Sequence, residues 1–298
     1  METLTAIVID GIIYAAWLFL ISVGMTLIYG VLRILNVAHG SLYALGAYAG
    51  ASMVIAYLAT GYTPYLSYLV LLGAALGVGL VVGPLIERGV LRWVYGRDEV
   101  LLLLVTYSIF LILEDVIKLI WGVDPYYASQ PYGLLGRVSV AGLIYPAYDF
   151  LVIACGAMVG FVLWWMFNRT KSGRLVIAII HDREISLAMG INVPRVYLIA
   201  FSGGAALAAL GGALTAPRIS VVPGIAVEVI VLAFAVVVIG GLGSLGGAAL
   251  GALMVGLVRA ATVHLLPQLE LFIIYGVMAL VLLLRPQGLF GRIEVRRI

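Results

Sequence analysis

The residues that could carry chemistry in this chain are few and scattered. Its three histidines are His39, His181 and His264, and none lies at metal-ligand spacing from another histidine or from Cys155, the single cysteine. No Gly-x-Ser-x-Gly turn and no His-Glu-x-x-His helix accompanies the serines that lie near a lysine or a histidine. We therefore predict no catalytic centre, no metal site and no cofactor.

A polar break in the N-terminal part interrupts two long apolar runs. Residues 36–41 read NVAHGS and place Asn36, His39 and Ser41 between apolar segments. Polar groups at membrane depth are costly and usually face a cavity or a partner. We predict that these three side chains line a translocation pathway. The alternative is that His39 is an internally hydrogen-bonded residue that closes the break between two helices.

A glycine-rich break in the C-terminal part has a similar setting. Residues 240–247 read GGLGSLGG, and a helix of small residues is predicted to follow, as it is after residue 41. Interrupted segments in corresponding positions of two halves indicate a substrate route in transporters. We assign Gly240, Gly243 and Ser244 to the same pathway. The Gly-Lys-Ser/Thr ending of a phosphate-binding loop is missing, which argues against a nucleotide site.

The composition requires that these breaks lie in a membrane. Of the 298 residues, 64% are hydrophobic and 10% are charged, whereas soluble domains carry about 25% charged residues. We predict an all-α fold, a polytopic transmembrane helical bundle of about eight to ten spans with broken or re-entrant helices. It forms one transmembrane domain over residues 1–298. The hydropathy places nine spans, at residues 8–32, 41–60, 65–88, 99–121, 147–167, 193–216, 224–240, 244–265 and 269–285.

The basic residues predict how the bundle is oriented. Thirteen of the seventeen fall in alternate loops, and the positive-inside rule places those loops in the cytoplasm. The N-terminus then lies outside and the C-terminus lies in the cytoplasm. The thirteen are Arg33, Arg88, Arg92, Arg97, Arg169, Lys171, Arg174, Arg183, Arg195, Arg285, Arg292, Arg296 and Arg297.

The cytoplasmic segment 168–195 carries mixed charge between two apolar spans. Its periodicity predicts one short helix over residues 174–190, roughly parallel to the membrane. Gly190 would end that helix as a C-cap, and Pro194 would lie in the first turn of the next. A structured, mixed-charge helix in this position indicates a docking site for a cytoplasmic partner. The alternative is an amphipathic helix that lies on the lipid surface.

Glycines and ionisable residues within the spans add two further expectations. Glycine pairs four residues apart, which let helices approach closely, recur along the chain, among them Gly46/Gly50 and Gly73/Gly77. Of the few charges, we expect Arg259 and Glu228 to pair across helices. No deep chain of acidic groups is evident, and a pathway of small and apolar groups suits an apolar substrate side chain.

Four segments together resemble the branched-chain amino acid permeases of ABC importers, the LivH/LivM family. Residues 182–193 (DREISLAMGINV) hold Glu184 and Gly190 six positions apart, as in the coupling loop of such importers, although Ile185 and Ser186 depart from its Glu-Ala-Ala core. The Asn-x-Ala-His-Gly element and the chain length favour the LivH-type subunit. The other resembling segments are residues 24–30 with 35–40, 240–247 and 285–291.

The resemblance implies a transport subunit rather than an enzyme, in the plasma membrane of a prokaryote. It would translocate Leu, Ile, Val or similar small amino acids by alternating access. The implied partners are a second homologous permease, two cytoplasmic ABC ATPase subunits that hydrolyse the ATP, an extracellular substrate-binding protein and the lipid bilayer, with no nucleic acid. The alternatives are a permease for urea or short amides and an ion-gradient-driven secondary transporter. ATPase coupling would fall on Arg174, Asp182, Arg183, Glu184 and Gly190.

Overall fold

The structure is a computed structural model that describes residues 2–285 and 287–290, apart from the side chain of Leu271. Residues 291–298 lie outside the described part, and with them the predicted cytoplasmic residues Arg292, Arg296 and Arg297. Pro286 and Gly291 of the resembling segment 285–291 also lie outside it.

Every predicted span is helical in the described part of the chain. A π-helical turn (Glu87–Leu91) joins α3 to α4, and short 3-10 turns precede α3 (Pro64–Leu66) and α13 (Pro267–Leu269). The elements are α1 (Glu2–Leu32), α2 (His39–Ala59), α3 (Ser67–Ile86), α4 (Arg92–Val94), α5 (Glu99–Trp121), α6 (Gln130–Gly133), β1 (Arg137–Val140), β2 (Leu143–Pro146), α7 (Ala147–Arg169), α8 (Lys171–His181), α9 (Arg183–Ala188), α10 (Val193–Thr215), α11 (Ile225–Gly240), α12 (Leu245–Leu265) and α13 (Glu270–Leu284).

Helix length separates full spans from shorter ones. Seven apolar helices in the described residues are long enough to cross a membrane, and α11 and α13 are shorter apolar helices. The 16 residues of α11 rise only about 24 Å, less than the roughly 30 Å of a hydrocarbon core. The span predicted over residues 224–240 is therefore helical but shorter than a full membrane crossing. We name the two ends of the bundle outer and cytoplasmic after the predicted orientation.

Helix α10 lies at the centre of the bundle and packs on both α1 and α2 through small residues. A Cβ on Gly24 of α1 would lie 2.6 Å from the carbonyl oxygen of Gly204 on α10. Gly46 of α2 lies equally close to the backbone of Ala209. Such spacing permits direct backbone contact between helices. By contrast, Gly73 on α3 has no neighbouring atom within 4 Å of the Cβ position.

The outer segment 122–146 is more ordered than a plain loop. It contains α6 and a two-stranded antiparallel hairpin in which Arg137 pairs with Pro146. Below it, Arg218 forms an ion pair with Asp149 at 3.3 Å, and the Tyr132 hydroxyl donates to the same carboxylate at 3.3 Å. Burial, and after it the Asp149 charge, raises the pKa of Tyr132, so its hydroxyl stays protonated as a donor. The fold remains a helical bundle.

Candidate functional site

The cytoplasmic segment folds as two short helices rather than the single helix predicted over residues 174–190. After α8 ends at His181, Asp182 is extended (φ −154°, ψ 108°), and α9 then begins. The Asp182 carboxylate accepts a hydrogen bond from the Ile185 backbone N–H at 2.9 Å and so caps α9. The prediction of one continuous helix was wrong because an aspartate that caps a new helix also interrupts the old one.

Both ends of this segment are fixed by local hydrogen bonds. At its start the Thr170 hydroxyl oxygen accepts from the Gly173 N–H at 3.0 Å. At its end Gly190 has φ +80°, and the N–H groups of Gly190 and Ile191 donate, at 3.0 Å each, to carbonyls of the last turn of α9. This is a Schellman motif, so the predicted C-cap is confirmed. Asn192 then caps α10 by accepting from the Arg195 N–H at 3.0 Å.

The five residues predicted for ATPase coupling have different positions. Arg174 and Glu184 are exposed, on α8 and in the first turn of α9. The Arg183 guanidinium lies over the Tyr197 ring, 5.9 Å from its centroid. Asp182 and Gly190 set the backbone path of the segment. All five residues are exposed, and three of them also make the contacts or turns that shape the segment. Their role in coupling remains a prediction.

Exposed apolar side chains at α9 were missed by the sequence reasoning. Ile185, Leu187 and Met189 are 59%, 47% and 77% exposed, and only Ser186 is buried within this helix. Apolar groups exposed together outside the hydrocarbon region mark an interaction surface. The signal was present in the sequence, because these residues interrupt a charged run that lies between two spans. We call Glu184, Ile185, Leu187 and Met189 the α9 tip.

A line of side chains ties α9 to the cytoplasmic end of α3 and α4. The Tyr95 hydroxyl donates to Glu87 Oε1 at 3.0 Å, and the Tyr95 ring meets the Tyr197 ring edge-on at 5.1 Å. Arg183 completes the line on the other side of Tyr197. Burial, and after it the Glu87 carboxylate, raises the pKa of Tyr95, so its hydroxyl remains a donor near neutral pH. The tip is therefore held by side chains as well as by caps.

The first polar break lies inside the bundle. Asn36, His39 and Ser41 are 1%, 0% and 0% exposed. His39 Nε2 lies 2.9 Å from the Ile21 carbonyl oxygen and so carries the proton, while the Ser41 hydroxyl donates to the Phe110 carbonyl at 3.2 Å. These bonds fit the alternative that His39 closes the break. The amide of Asn36 has no hydrogen-bond partner among the described residues, and a pathway along the break remains a prediction.

The glycine-rich break is an ordered connection between α11 and α12. Gly240 contacts the backbone of Gly247, and Gly243 has φ +78° with its Cβ position 3.3 Å from Gly30 Cα. The Ser244 hydroxyl oxygen accepts from the Gly247 N–H at 3.0 Å and caps α12. The N–H groups of Leu289 and Phe290 donate to the carbonyls of Ile239 and Gly240 at 2.9 and 3.0 Å.

A cavity of about 650 Å³ brings separate predicted segments together at the cytoplasmic end. It is lined by the end of α1, by the glycine-rich break, by the inner side of α8 and by the C-terminal segment. Gly243 and Ser244 line it, whereas Asn36, His39 and Ser41 do not. The structure therefore separates the predicted pathway residues into two places. The polar lining includes Thr26, Tyr29, Arg33, His181 and Ser244.

The charges within the spans are paired differently from the prediction. Arg259 forms an ion pair with Glu270 at 2.6 Å and lies 4.0 Å from the centroid of the Tyr14 ring. The expected pair with Glu228 was therefore wrong, because the first turn of α13 reaches Arg259 from the neighbouring position in the bundle. On α5, Asp115 is 74% exposed and pairs with Lys118 at 3.4 Å.

No group of three His, Cys, Asp or Glu side chains that could hold a metal ion occurs among the described residues. What the described part of the chain does present is a bundle of nine apolar helices, two internal breaks and a rigid cytoplasmic segment with an exposed tip. These features define a multi-pass helical membrane protein.

The chain belongs to the family described as branched-chain amino acid transport system / permease component, whose sequence profile matches residues 7–282. It is 29% identical to the high-affinity branched-chain amino acid transport system permease protein BraD of Pseudomonas aeruginosa, over 97% of this chain and 96% of BraD. It is 27% identical to the Escherichia coli K12 permease protein LivH, over 97% and 96%. A probable LivH of Methanocaldococcus jannaschii is 27% identical, over 95% and 92%. The chain is thus a LivH-type permease of the plasma membrane.

Proposed function

We propose that this chain is the permease subunit of an ABC importer that moves branched-chain or similar small amino acids into the cell. Two cytoplasmic ATPase subunits would supply the energy by closing against segment 168–195. The observation that carries the proposal is the α9 tip. It exposes Ile185 and Met189 beside the acidic Glu184, on a helix fixed by caps at both ends.

The rigidity of the segment supports a mechanical role. Thr170, Asp182 and Asn192 each cap a helix of the segment, so every junction between its helices is fixed by a side-chain hydrogen bond. We expect that a displacement of α9 is passed on rather than absorbed within the segment. It would pass to α7 and α10 as rigid-body motion, the usual form of such transitions. Alternating access then follows if the α10 side of the bundle moves with the tip.

A co-purification experiment tests the dock. Ile185→Asp with Met189→Asp places two charges in an apolar contact, so the tagged permease should lose its ATPase subunits in mild detergent and lose ATP-driven uptake. Val123→Asp, at a residue that is 70% exposed at the outer end, is the matched control and should retain the ATPase. ATPase retention by the double variant at the control level would refute docking at the tip.

The partners on the other faces follow from charge and exposure. Asp115 is an exposed charge inside an apolar span, and acyl chains are a poor environment for it. We propose that the second, homologous permease covers this face of α5 and that the two chains share a water-filled route there. An extracellular binding protein would deliver the substrate to the outer end. The test is an Asp115→Cys variant. If its thiol reacts with a lipid-phase probe and never cross-links to the second permease, the arrangement is contradicted.

Substrate class is tested by competition in proteoliposomes that contain the whole importer. Excess Leu, Ile or Val should suppress uptake of labelled leucine, whereas urea and short amides should not. Suppression by the amides alone would select the alternative substrate class of the family. Uptake that persists without ATPase subunits and stops when the ion gradient is dissipated would instead select a secondary transporter.

A further inference from the structure

A second cavity lies within membrane depth, between the α7–α8 pair and α10. Its volume is about 860 Å³. Helix α7 packs on α1 and α8, while α10 packs on α1, α2 and α3. A gap therefore remains between α7 and α10, and α1 forms its inner wall. We call this gap the α7/α10 groove. Its lining includes Leu27, Leu76, Leu163, Ile199, Gly203 and Leu207.

Small residues on α10 keep the groove open. Gly203 lies on its floor, and a Cβ added there would meet only Leu27 Cδ2, at 3.7 Å. Ala200 and Ala206 lie beside it on the same helix. Ile199, at 63% exposure, projects from the wall and has no protein cover. A groove lined mainly by apolar side chains favours an apolar occupant.

The dimensions of the groove fit a lipid tail. Its lining residues on α10 run from Arg195 to Leu210, a rise of about 22 Å along the helix. One leaflet contributes about 15 Å, half of a hydrocarbon core of about 30 Å. An acyl chain that enters at the cytoplasmic end therefore fits inside along the whole depth of its leaflet.

Basic side chains at the cytoplasmic opening of the groove favour a lipid with an anionic head group. Among the described lining residues the one charged side chain is Arg195, and Ser172 and Asn192 lie beside it. Arg195 is exposed and makes no ion pair with a described residue. Lys171 and Arg174 are exposed on the adjoining turn of α8. A basic mouth above an apolar groove complements a phosphate attached to an acyl chain.

We propose that one anionic phospholipid of the cytoplasmic leaflet occupies the α7/α10 groove, with an acyl chain along Gly203 and Ile199 and its phosphate at Arg195. A transported amino acid is a poorer occupant, because none of the described residues that line the groove is a carboxylate that could receive its amino group. The lipid would fill the space between α8 and α10 and so brace the two elements that the α9 tip connects. That last consequence rests on the proposed function, whereas the binding site does not.

The test measures lipid bound to the full-length protein, expressed with its partners, by native mass spectrometry after exchange into delipidating detergent. The wild-type chain should retain phosphatidylglycerol in preference to phosphatidylcholine. The Cβ position of Gly203 has room, so Gly203→Leu places a side chain in the groove and should abolish retention. Arg195→Gln should lower the preference for phosphatidylglycerol about fivefold, the weight of one basic residue near an anionic surface. Arg92→Gln, at an exposed arginine of the same end, should change neither quantity.

Three results would overturn the proposal. They are unchanged retention in Gly203→Leu with a normal unfolding temperature, equal retention of the two lipids by the wild-type chain, and an Ile199→Cys variant that cross-links to a partner protein rather than to lipid. ATP-driven uptake is measured on the same variants. Loss of lipid with normal uptake would sustain the site and remove its role in coupling, while absence of ATP-driven uptake in the wild type would count only against the proposed function.

Discussion

The interior helices and the cytoplasmic segment are held by opposite means. In α1, α2 and α10 the backbones touch through glycine and alanine, so side chains contribute shape and few hydrogen bonds. In α8 and α9 the backbone is exposed, and side chains of Thr170, Asp182 and Asn192 fix it through caps. Close packing thus couples the interior helices directly, whereas the segment keeps its shape through caps while its apolar side chains remain exposed.

The largest effect is expected where the interior is tightest. In Gly46→Leu the added side chain would collide with the Ala209 backbone, and overpacking of this kind costs about 3 kcal/mol or more in the free energy of unfolding. We expect loss of folded protein, measured by expression and by thermal unfolding in detergent. Gly73 belongs to a glycine pair of the same spacing, but its Cβ position has no atom within 4 Å, so Gly73→Leu should leave the unfolding temperature unchanged. Equal losses would show that close packing does not distinguish the two sites.

A smaller effect is expected at the ion pair between α12 and α13. Arg259→Met leaves Glu270 without its partner at 2.6 Å, and we expect a loss of about 2 kcal/mol, between the costs measured for exposed and for buried pairs. Thermal unfolding of a double-mutant cycle with Glu270→Gln measures the coupling. The double variant should recover most of the loss. Additive effects would mean that the pair contributes nothing.

The caps of the cytoplasmic segment predict a local effect. Asp182→Ala removes the carboxylate that accepts the Ile185 N–H, which costs about 1 kcal/mol at an N-cap. We expect faster hydrogen exchange over residues 183–190 and lower ATP-driven uptake, with an unchanged global unfolding temperature. Asp182→Asn retains an acceptor and serves as the control. If both variants exchange like the wild type, the cap does not hold α9.

The smallest predicted change has the opposite sign. Asn36 is 1% exposed, and its amide has no hydrogen-bond partner among the described residues. Asn36→Leu removes that unsatisfied polar group and should raise the free energy of unfolding by up to about 1 kcal/mol. If Asn36 lies on the pathway, uptake should fall at the same time, since functional sites commonly trade stability for activity. Ser22 is another buried residue whose hydroxyl has no hydrogen-bond partner in the described part of the chain. Ser22→Ala should change stability and leave uptake intact. Normal uptake in Asn36→Leu would remove Asn36 from the pathway.

Most of the bundle could be predicted from the sequence, because the length and hydropathy of each apolar run identify it as a span. The short span that became α11, the C-cap at Gly190 and the helix start near Pro194 were all predictable from local residue types. Contacts that depend on how each helix is rotated about its axis could not be predicted from the sequence. For example, Arg259 pairs with Glu270 rather than with Glu228. Predicting that pair requires the relative positions of three helices.

The candidate site divides in the same way. Its backbone follows from Asp182 and Gly190, which are strong local signals. Its contact surface does not, because Ile185 and Met189 become an exposed tip only when α8 turns away at Asp182. A spacing rule likewise treats Gly46 and Gly73 as equal, although only one faces another helix.

The hydrogen bonds from Leu289 and Phe290 to the end of α11 also bear on the order of biosynthesis. When α11 and α12 leave the ribosome, the carbonyls of Ile239 and Gly240 still lack these donors. The turn between the two helices becomes complete only after α13 has been inserted and the chain has returned to the cytoplasmic end. Completion of this turn is therefore a post-insertion event, and a chain truncated after α12 would lack both hydrogen bonds.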